Sequence, residues 1–245
     1  MILESTNDIQ VDYKGTTDLV TNIDRKVENF IIEKIKNHFP DHTILAEESG
    51  LNQKDSDYLW VIDPLDGTTN FVHGYPSFGV SIGLLLKGIP TLGVVMELPS
   101  KNLYSAYKGN GAYKNGKPIN VSKNSNITEC LLATGFPYEH GERWKANMRL
   151  FEFFTDKTQG VRRLGAASID LCHLACGYID GFWELDLKPW DTAAGIVIAS
   201  ESGGKISKMD GNKYSIYDNQ ILASNGIIHD DLSSKILSIT NTINL

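Results

Sequence analysis

Four runs of apolar, β-branched and aromatic residues follow one another between Tyr58 and Tyr107. Glycine and proline separate the runs, which cover residues 58–62, 78–86, 91–98 and 102–107. Short runs of this composition, bounded by turn residues, are typical of β-strands. The Asn115-Gly116 pair beyond them predicts a two-residue hairpin. We therefore expect consecutive antiparallel strands in this part of the chain.

The segments on either side have a different periodicity. From Asp24 onward, apolar residues lie at the spacing of one helix face until Pro40 ends the pattern. Beyond the polar segment 122–128, short strands alternate with helical stretches. The predicted strands there are 131–134, 181–185 and 221–224, and the predicted helices are 144–157, 166–178, 191–202 and 232–243. We predict an α/β (α+β) protein with an α+β half at 1–124 and an α/β half at 125–245.

The composition limits the classes of protein to which the chain can belong. Its 245 residues, 41% hydrophobic and 22% charged, are typical of a globular protein with one large domain or two of about 120 residues. No stretch approaches the roughly 18 apolar residues of a membrane span, and the N-terminus has no signal-peptide pattern. Three cysteines are too few for a disulfide framework. We therefore expect a cytoplasmic protein that does not associate with membranes.

The net charge of −7 argues against a nucleic-acid partner, because nucleic acid is itself strongly negative. The same charge would repel a small phosphorylated substrate. If the ligand is an anion, the electrostatic potential at its binding site must be positive, and bound cations usually provide that positive charge.

The segment 60–70 carries the densest set of chemically useful groups. An apolar strand is expected to end at Asp63, where Pro64 would fix the second position of a turn. In that geometry Asp63 and Asp66 can point to the same side, and the carbonyl of Leu65 faces the same space. Two carboxylates and a carbonyl are ligands that suit Mg²⁺. For this segment alone, a plain acidic turn is the alternative.

Two residues that follow, Gly67 and Thr68, offer backbone N–H groups that could open a helix. Such a helix start is a ready site for an anion. A magnesium ion beside it would be placed to bridge the carboxylates to a phosphate.

Three further acidic elements have both a functional and a structural interpretation. Glu47 and Glu48 follow an apolar run, and only one of them would reach a metal, because neighbours on an extended chain point to opposite faces. Asp191 lies at or near a helix N-terminus and could be a capping residue. Asp24 could likewise cap the helix that follows it.

In this order, the acidic segments resemble those of the inositol monophosphatase family. The resemblance rests on Asp18–Thr21 with Asp24, Glu47–Ser49, Asp63–Gly74, Leu164–Leu171 with Glu184, and Lys188–Gly195. It runs from about Lys14 to the C-terminus. It implies an alternating α/β/α/β/α sandwich, Mg²⁺-dependent hydrolysis of phosphate monoesters and, usually, a homodimer.

The resemblance also implies roles for individual residues. Two or three Mg²⁺ ions would be bound by Glu47, Asp63, the Leu65 carbonyl, Asp66 and Asp191. The catalytic residues would be Thr68, which together with Asp24 orients and deprotonates the attacking water, and Glu47. The amides of Gly67 and Thr68 would hold the phosphate, and no covalent phospho-enzyme is expected. Substrate contacts would come from Asp66, Gly165, Ala166, Ala167 and Glu184.

The expected substrate is a sugar or polyol phosphate, above all inositol monophosphate, because Asp66 and Glu184 would accept hydrogen bonds from vicinal hydroxyls. Fructose-1,6-bisphosphatase, NADP(H) phosphatase and nucleotide 3′-phosphatase activities are the alternatives within the superfamily. The sequence 69–71, Thr-Asn-Phe, resembles the inositol branch. Arg162 and Arg163 could reach a second phosphate or form a solvated pair.

Two rival functions belong to other classes. An aspartyl-nucleophile phosphatase needs an Asp-x-Asp motif, whereas two residues separate Asp63 from Asp66. A non-catalytic regulatory dimer would keep the fold without the chemistry, but every implied ligand is present. Only thirteen residues precede Lys14, so the long first helix usual in the family is expected to be truncated or absent.

Overall fold

The structure is a computed structural model that describes residues 2, 9–13, 15 and 19–240. Lys14 and Asp18, on which part of the family resemblance rests, lie outside the described residues. The described strands are β1 Val11–Tyr13, β2 Leu19–Thr21, β3 Thr43–Ala46, β4 Gly50–Asn52, β5 Tyr58–Asp66, β6 Gly79–Leu86, β7 Ile89–Glu97, β8 Asn102–Tyr107, β9 Ala112–Lys114, β10 Lys117–Ile119, β11 Leu131–Thr134, β12 Gly160–Arg162, β13 Gly181–Leu185, β14 Lys205–Ser207 and β15 Gln220–Ser224. The described helices are α1 Asn22–His38, α2 Thr68–Val72, α3 Glu142–Lys157, α4 Ala167–Ala175, α5 Pro189–Glu201 and α6 His229–Thr240.

Two large mixed sheets form the body of the protein. The first has eight strands in the order β10-β9-β8-β7-β6-β5-β3-β4, and only the β3–β5 pair is parallel. The second has five strands in the order β12-β11-β13-β15-β14, with β11 parallel to both of its neighbours. The antiparallel strands predicted from 58–107 and the hairpin at Asn115 and Gly116 are confirmed.

Helices cover the sheets on both sides, which gives five layers. Helix α1 packs against β5 on the outer face of the eight-stranded sheet, and α4 and α5 lie between the two sheets. Helices α3 and α6 cover the outer face of the five-stranded sheet. The predicted α/β/α/β/α sandwich is therefore confirmed, while the division of the chain at residue 124 stays a prediction.

Small residues bring α5 unusually close to the eight-stranded sheet. A Cβ on Gly93 of β7 would lie 2.2 Å from the carbonyl oxygen of Ala194, and one on Gly83 of β6 would lie 2.9 Å from the Cβ of Ala193. Only glycine permits this approach. The contact fixes the first turn of α5, and with it Asp191, over the end of β6, where the Ser81 hydroxyl donates to the carbonyl of Trp190.

Two local predictions need correction. The strand β5 does not end at Asp63 but continues to Asp66, because a bulge takes the place of the predicted turn. Proline has no N–H to donate to the ladder, so Pro64 fits a bulge without losing a hydrogen bond. Helix α1 begins at Asn22, two residues before the predicted start, because Thr21 is its N-cap.

Within the described residues, no helix is both long enough and apolar enough to cross a membrane.

Candidate active site

The bulge near the C-terminal end of β5 brings two carboxylates to the same end of the sheet. Asp63 is opposite Ser81 and Asp66 is opposite Gly79, so two residues of β5 bulge out against one of β6. Asp63 and Asp66 are 2% and 8% exposed. The Asp63 Oδ1 atom accepts a hydrogen bond of 2.9 Å from the amide of Leu65, which fixes the carboxylate against its own backbone.

A cavity of about 770 Å³ opens above this end of the sheet. Its lining includes most of the predicted site residues: Glu47, Asp63, Leu65, Asp66, Gly67, Thr68, Glu184 and Asp191. The structure therefore gathers side chains that are up to 144 positions apart in the sequence into one cleft. Their roles as ligands or catalytic groups remain predictions.

Thr68 is the first residue of α2, and its hydroxyl lies in a short chain of hydrogen bonds. The Thr68 Oγ1 atom is 3.0 Å from Asp24 Oδ1 and 2.9 Å from the carbonyl oxygen of Leu65. The other oxygen of Asp24 accepts hydrogen bonds from the amide and the hydroxyl of Thr21, at 2.8 and 2.5 Å. Asp24 is 1% exposed and lies at the third position of α1, where it closes a capping box rather than being the N-cap. The capping interaction and the contact with Thr68 use different oxygens of one carboxylate.

The remaining predicted contacts of the substrate lie at the start of α4. Gly165 borders a smaller neighbouring cavity. Ala166 and Ala167 are only 2% and 6% exposed, so their side chains are inside the protein. Contact between these two residues and a substrate stays a prediction and would have to involve the backbone.

The sequence analysis did not identify Ser168, which binds Asp66 tightly. The amide and hydroxyl of Ser168 donate to Asp66 Oδ2 at 2.8 and 2.5 Å. Burial raises the pKa of Asp66 to about 6, although these hydrogen bonds act in the opposite direction. The available signal was a serine near the start of a predicted helix, three residues after Gly165.

Glu184 near the end of β13 lies against Gly135, which the sequence analysis also missed. A Cβ on Gly135 would lie 1.9 Å from Glu184 Oε1, so a larger residue would displace the carboxylate from this position. Burial raises the pKa of Glu184, the carboxylates of Asp170 and Asp191 raise it further, and Arg163 lowers it.

Asp191 lies at the third position of α5 rather than at its cap. Its Oδ2 atom accepts a hydrogen bond of 2.6 Å from the amide of Lys188, which is the N-cap residue. Burial raises the pKa of Asp191, and the nearby Asp66 and Glu47 raise it further. The pKa of Asp63 is raised in the same way, by burial and then by Glu47, Asp66 and Asp191. These acids therefore repel one another in a space with little water.

The donor chemistry of the cleft fits magnesium. No group of three or more carboxylates, histidines or cysteines in the described part of the chain is arranged so that it could hold a metal ion by itself. Carboxylate and carbonyl oxygens are nevertheless the ligands that Mg²⁺ prefers, and the ion usually keeps water or phosphate oxygens as its remaining ligands. Positive charge among these carboxylates would remove the repulsion that raises the pKa of Asp63 and of Asp191. Glu47, Asp63, the Leu65 carbonyl, Asp66 and Asp191 could hold such ions.

Beside the cleft lies a smaller cavity of about 210 Å³ with an aromatic wall. Phe136, Tyr138, His140 and Trp144 contribute to that wall, and Arg163 lies at the same cavity. The His140 and Trp144 rings are 4.7 Å apart. We call this cavity the aromatic pocket; it shares Gly67, Phe136, Pro137 and Tyr138 with the acidic cleft.

Comparison with known proteins gives consistent matches over the whole chain. The profile of the Inositol monophosphatase family matches residues 1–244. Phosphatase IMPL1, chloroplastic, of Arabidopsis thaliana is 47% identical over 251 residues, which cover 99% of this chain and 68% of the plant protein. Inositol-1-monophosphatase of Synechocystis is 50% identical over 226 residues, covering 91% and 79% of the two chains. A protein named Nus factor SuhB, from Pasteurella multocida, is 40% identical over 95% of this chain and 88% of its own length.

The solved structures show the same fold. Inositol monophosphatase from Anabaena superposes with a TM-score of 0.84 at 47% identity, covering 88% of this chain and 86% of the cyanobacterial one. The structure of SaIMPase-II with 2′AMP bound superposes with a TM-score of 0.79 at 30% identity, covering 89% and 84%.

Proposed function

The chain belongs to the inositol monophosphatase family and is a phosphomonoesterase; from this premise we propose that it hydrolyses inositol monophosphate or a related sugar or polyol phosphate in a magnesium-dependent reaction. The observation that carries the proposal is the juxtaposition, in one cleft, of the repelling acids Asp63, Asp66 and Asp191 with the hydrogen-bonded pair Thr68 and Asp24.

In this proposal, one group of cleft residues orients the attacking water and another binds the phosphate. Because Asp24 accepts from the Thr68 hydroxyl, that hydroxyl oxygen is free to accept a hydrogen bond from a water molecule and orient it for attack. Magnesium, when bound, supplies the positive charge that offsets the two negative charges of the phosphate and lowers the pKa of the attacking water. Glu47 would take part in moving the proton, and its proximity to Asp63 supports this role.

The phosphate would lie against the start of α2. Gly67 has a φ of +85°, which turns the chain sharply out of β5 and into the helix. A Cβ there would meet the carbonyl oxygen of Ser77 at 2.8 Å, so any larger residue would disturb the turn. The amides of Gly67 and Thr68 would donate to phosphoryl oxygens. Water attacks directly in this proposal, and no covalent intermediate forms.

The polyol would bind on the other side of the cleft. Glu184 and Asp66 are carboxylates, and a pair of vicinal hydroxyls can donate to them. An exposed hydroxyl-rich ring suits these acceptors better than an apolar leaving group does, because buried carboxylates without donors are costly.

The test is phosphate release from a panel of substrates, with and without Mg²⁺. The panel contains inositol 1-phosphate, fructose 1,6-bisphosphate, NADP⁺ and 3′-phosphoadenosine 5′-phosphate. We expect Mg²⁺-dependent release that is fastest from inositol 1-phosphate. An acid-stable phosphate on Asp63, or release that is equally fast after the metal has been chelated, would contradict the mechanism.

The aromatic pocket favours a second candidate substrate class, the nucleoside 2′-phosphates. Tyr138, His140 and Trp144 offer ring faces on which a base can stack, and Arg163 offers a cation for a further phosphate. A relative, SaIMPase-II, is known with 2′AMP bound. Addition of 2′AMP to the panel, with Trp144→Ala as the variant, tests this candidate. A loss of 2′AMP hydrolysis alone would support it, while unchanged hydrolysis of both substrates would remove it.

We further propose a cytoplasmic homodimer without a nucleic-acid partner. The net charge of −7 supports the last part. Because relatives of this chain carry the name Nus factor, a regulatory role beside catalysis is the competing proposal. Sedimentation of the protein alone and with RNA distinguishes the two: a dimer that does not change with RNA is expected.

A further inference from the structure

A third cavity lies at the opposite end of α5 from Asp191. It has a volume of about 290 Å³ and is formed where the last two turns of α5 meet β7, β14 and the segment before β15. Its lining residues are Pro90, Lys108, Ile196, Val197, Ser200, Glu201, Ile206, Lys213 and Tyr214. None of them lines the acidic cleft or the aromatic pocket. We call this cavity the α5 pocket.

The floor of the α5 pocket is apolar. Ile196 and Val197 are 8% and 5% exposed, and both belong to the central core between the sheets. Ile206 packs against the same core. A cavity whose floor is formed by core side chains has a fixed shape, because those side chains cannot move without disturbing their neighbours. The floor would accept a flat apolar group.

The rim of the α5 pocket is positively charged. Lys108 and Lys213 are exposed, and neither forms an ion pair with any described carboxylate. Glu201 is the one carboxylate in the lining, and its two oxygens each accept a hydrogen bond of 2.9 Å from the amides of Gly109 and Gly111. On a chain with a net charge of −7, two ammonium groups beside an apolar floor favour a ligand with one negative charge.

We propose that the α5 pocket binds a small amphipathic monoanion. The apolar body lies on Ile196, Val197 and Ile206, and the anionic group lies between Lys108 and Lys213. The volume is at the lower end of the range for small-molecule sites, which limits the ligand to about the size of a bicyclic carboxylate.

A ligand in the α5 pocket would affect the acidic cleft through Tyr214. The Tyr214 hydroxyl is 3.0 Å from Thr192 Oγ1, and Thr192 is fully buried beside Asp191 in the first turn of α5. A ligand that contacts the Tyr214 ring shifts the hydroxyl and therefore the hydrogen bond to Thr192. Tyr214, which lines the α5 pocket, thus contacts the residue that follows Asp191 of the acidic cleft.

Titration of the full chain with 2-naphthoate, followed by backbone amide NMR, tests the proposal. We expect saturable shifts at the lining residues and at Thr192, and at least tenfold weaker binding of the neutral 2-naphthamide. In a Lys108→Ala, Lys213→Ala double variant, 2-naphthoate should bind at least tenfold more weakly and no better than the amide. Equal binding of the two probes to the unmodified protein, or shifts confined to the aromatic pocket, would overturn the proposal.

The conservative variant Tyr214→Phe separates binding from the effect on the acidic cleft. It keeps the ring in the wall and removes the hydroxyl that meets Thr192. We expect 2-naphthoate to bind within threefold of its original affinity while the shift at Thr192 disappears. A shift at Thr192 that persists in Tyr214→Phe would overturn this role of Tyr214. None of these readouts depends on phosphatase activity, so they remain valid if the proposed substrate is wrong.

Discussion

The acids of the cleft and the carboxylate of Asp180 are all largely removed from solvent, yet they have opposite kinds of neighbours. Around Asp63, the neighbours that change its pKa are mainly other acids, and each raises it. Asp180 accepts hydrogen bonds from the hydroxyl of Ser122, the amide group of Asn124 and the backbone N–H of Leu131.

Glu97 resembles Asp180 in this respect. Burial alone would raise the pKa of Glu97, but hydrogen bonds from His173, Ser100 and Asn102 outweigh that effect and lower the pKa to about 2. A buried carboxylate among donors stabilises the fold, whereas a carboxylate among other carboxylates costs stability until a cation or a ligand arrives. The comparison distinguishes Asp63 and Asp191, which lie among other acids, from Asp180 and Glu97, which lie among donors. Asp66 lies between the two kinds, because it is buried beside other acids but also accepts hydrogen bonds from Ser168.

The largest effect is expected for Asp191→Asn. This variant removes one charge from the cleft and leaves the shape of the side chain almost unchanged, so Mg²⁺-dependent turnover should fall by about 100-fold or more. The free energy of unfolding in the absence of metal should be equal or slightly higher, because a source of repulsion is gone. Steady-state kinetics and urea unfolding measure the two quantities.

Asp186→Asn is the matched control for that variant. Asp186 lines the same cavity, but its carboxylate pairs with Arg143 and it belongs to no predicted ligand set. Its substitution should change turnover less than threefold. If Asp186→Asn and Asp191→Asn reduced turnover equally, charge in the cleft as a whole would matter rather than particular ligands.

The opposite behaviour is expected for Asp180→Ala. Three donors lose their acceptor inside the protein, so the free energy of unfolding should fall by about 2–4 kcal/mol. Turnover per folded molecule should not change, because Asp180 lines neither the cleft nor the aromatic pocket. Asp230→Ala, which removes an exposed partner of Lys205, is the control and should have no measurable effect on stability.

The sequence predicts the fold and the candidate site only in part. The strand runs and the Asn-Gly hairpin follow from local patterns of apolar and turn residues, whereas the layer order was implied by the family resemblance. The structure confirms all three. The contact between Asp24 and Thr68 was expected only from the family resemblance, because the two residues are 44 positions apart. The local pattern predicted Asp24 as an N-cap, whereas it closes the capping box of Thr21.

Long-range packing explains the other differences. Ser168 meets Asp66 across 102 positions, and the Glu184 carboxylate occupies the space that a side chain at position 135 would take. The bulge in β5 depends on its pairing with β6, so Pro64 alone was compatible with either a turn or a bulge. These features arise from the tertiary fold and leave no periodic signal in the chain.

A buried histidine extends the comparison to a group that is neutral in the fold. His229 is fully buried, and its ring nitrogens are 2.8 and 2.9 Å from the hydroxyls of Ser207 and Ser224. Burial lowers the pKa of His229, Lys205 adds to this shift and Asp230 opposes it, and together they bring the pKa to about 4. As the pH falls, His229 is therefore protonated near pH 6.5 in the unfolded state but only near pH 4 in the folded state.

Stability should consequently fall as the pH drops through this window. Between pH 7 and pH 5 the free energy of unfolding is expected to decrease by about 1–2 kcal/mol because of His229. In His229→Gln the curve should be flatter over the same range, even though the variant is less stable at pH 7. Urea unfolding at a series of pH values measures this, and parallel curves for the two proteins would show that another group titrates.

The smallest effect concerns the two neighbouring arginines, which differ in what they face. Arg163 lies at the aromatic pocket and lowers the pKa of Glu184, whereas Arg162 at the end of β12 lines neither that pocket nor the cleft. Arg163→Gln should raise the KM for a phosphorylated substrate about three- to tenfold, because it removes about 1 kcal/mol of attraction at a solvated site. Arg162→Gln should leave KM within twofold.

Measuring how the KM of the Arg163 variant changes with the charge of the substrate shows whether Arg163 acts on the substrate directly or through Glu184. If Arg163 serves a second phosphate, KM should rise more for a bisphosphate than for inositol 1-phosphate, and added salt should reduce the difference. If Arg163 instead only balances Glu184, the loss should be the same for both substrates, because the substitution then acts through the carboxylate that is proposed to hold the polyol. In either case the fold should be unaffected, since the guanidinium is exposed and has no structural acid as its partner among the described ion pairs.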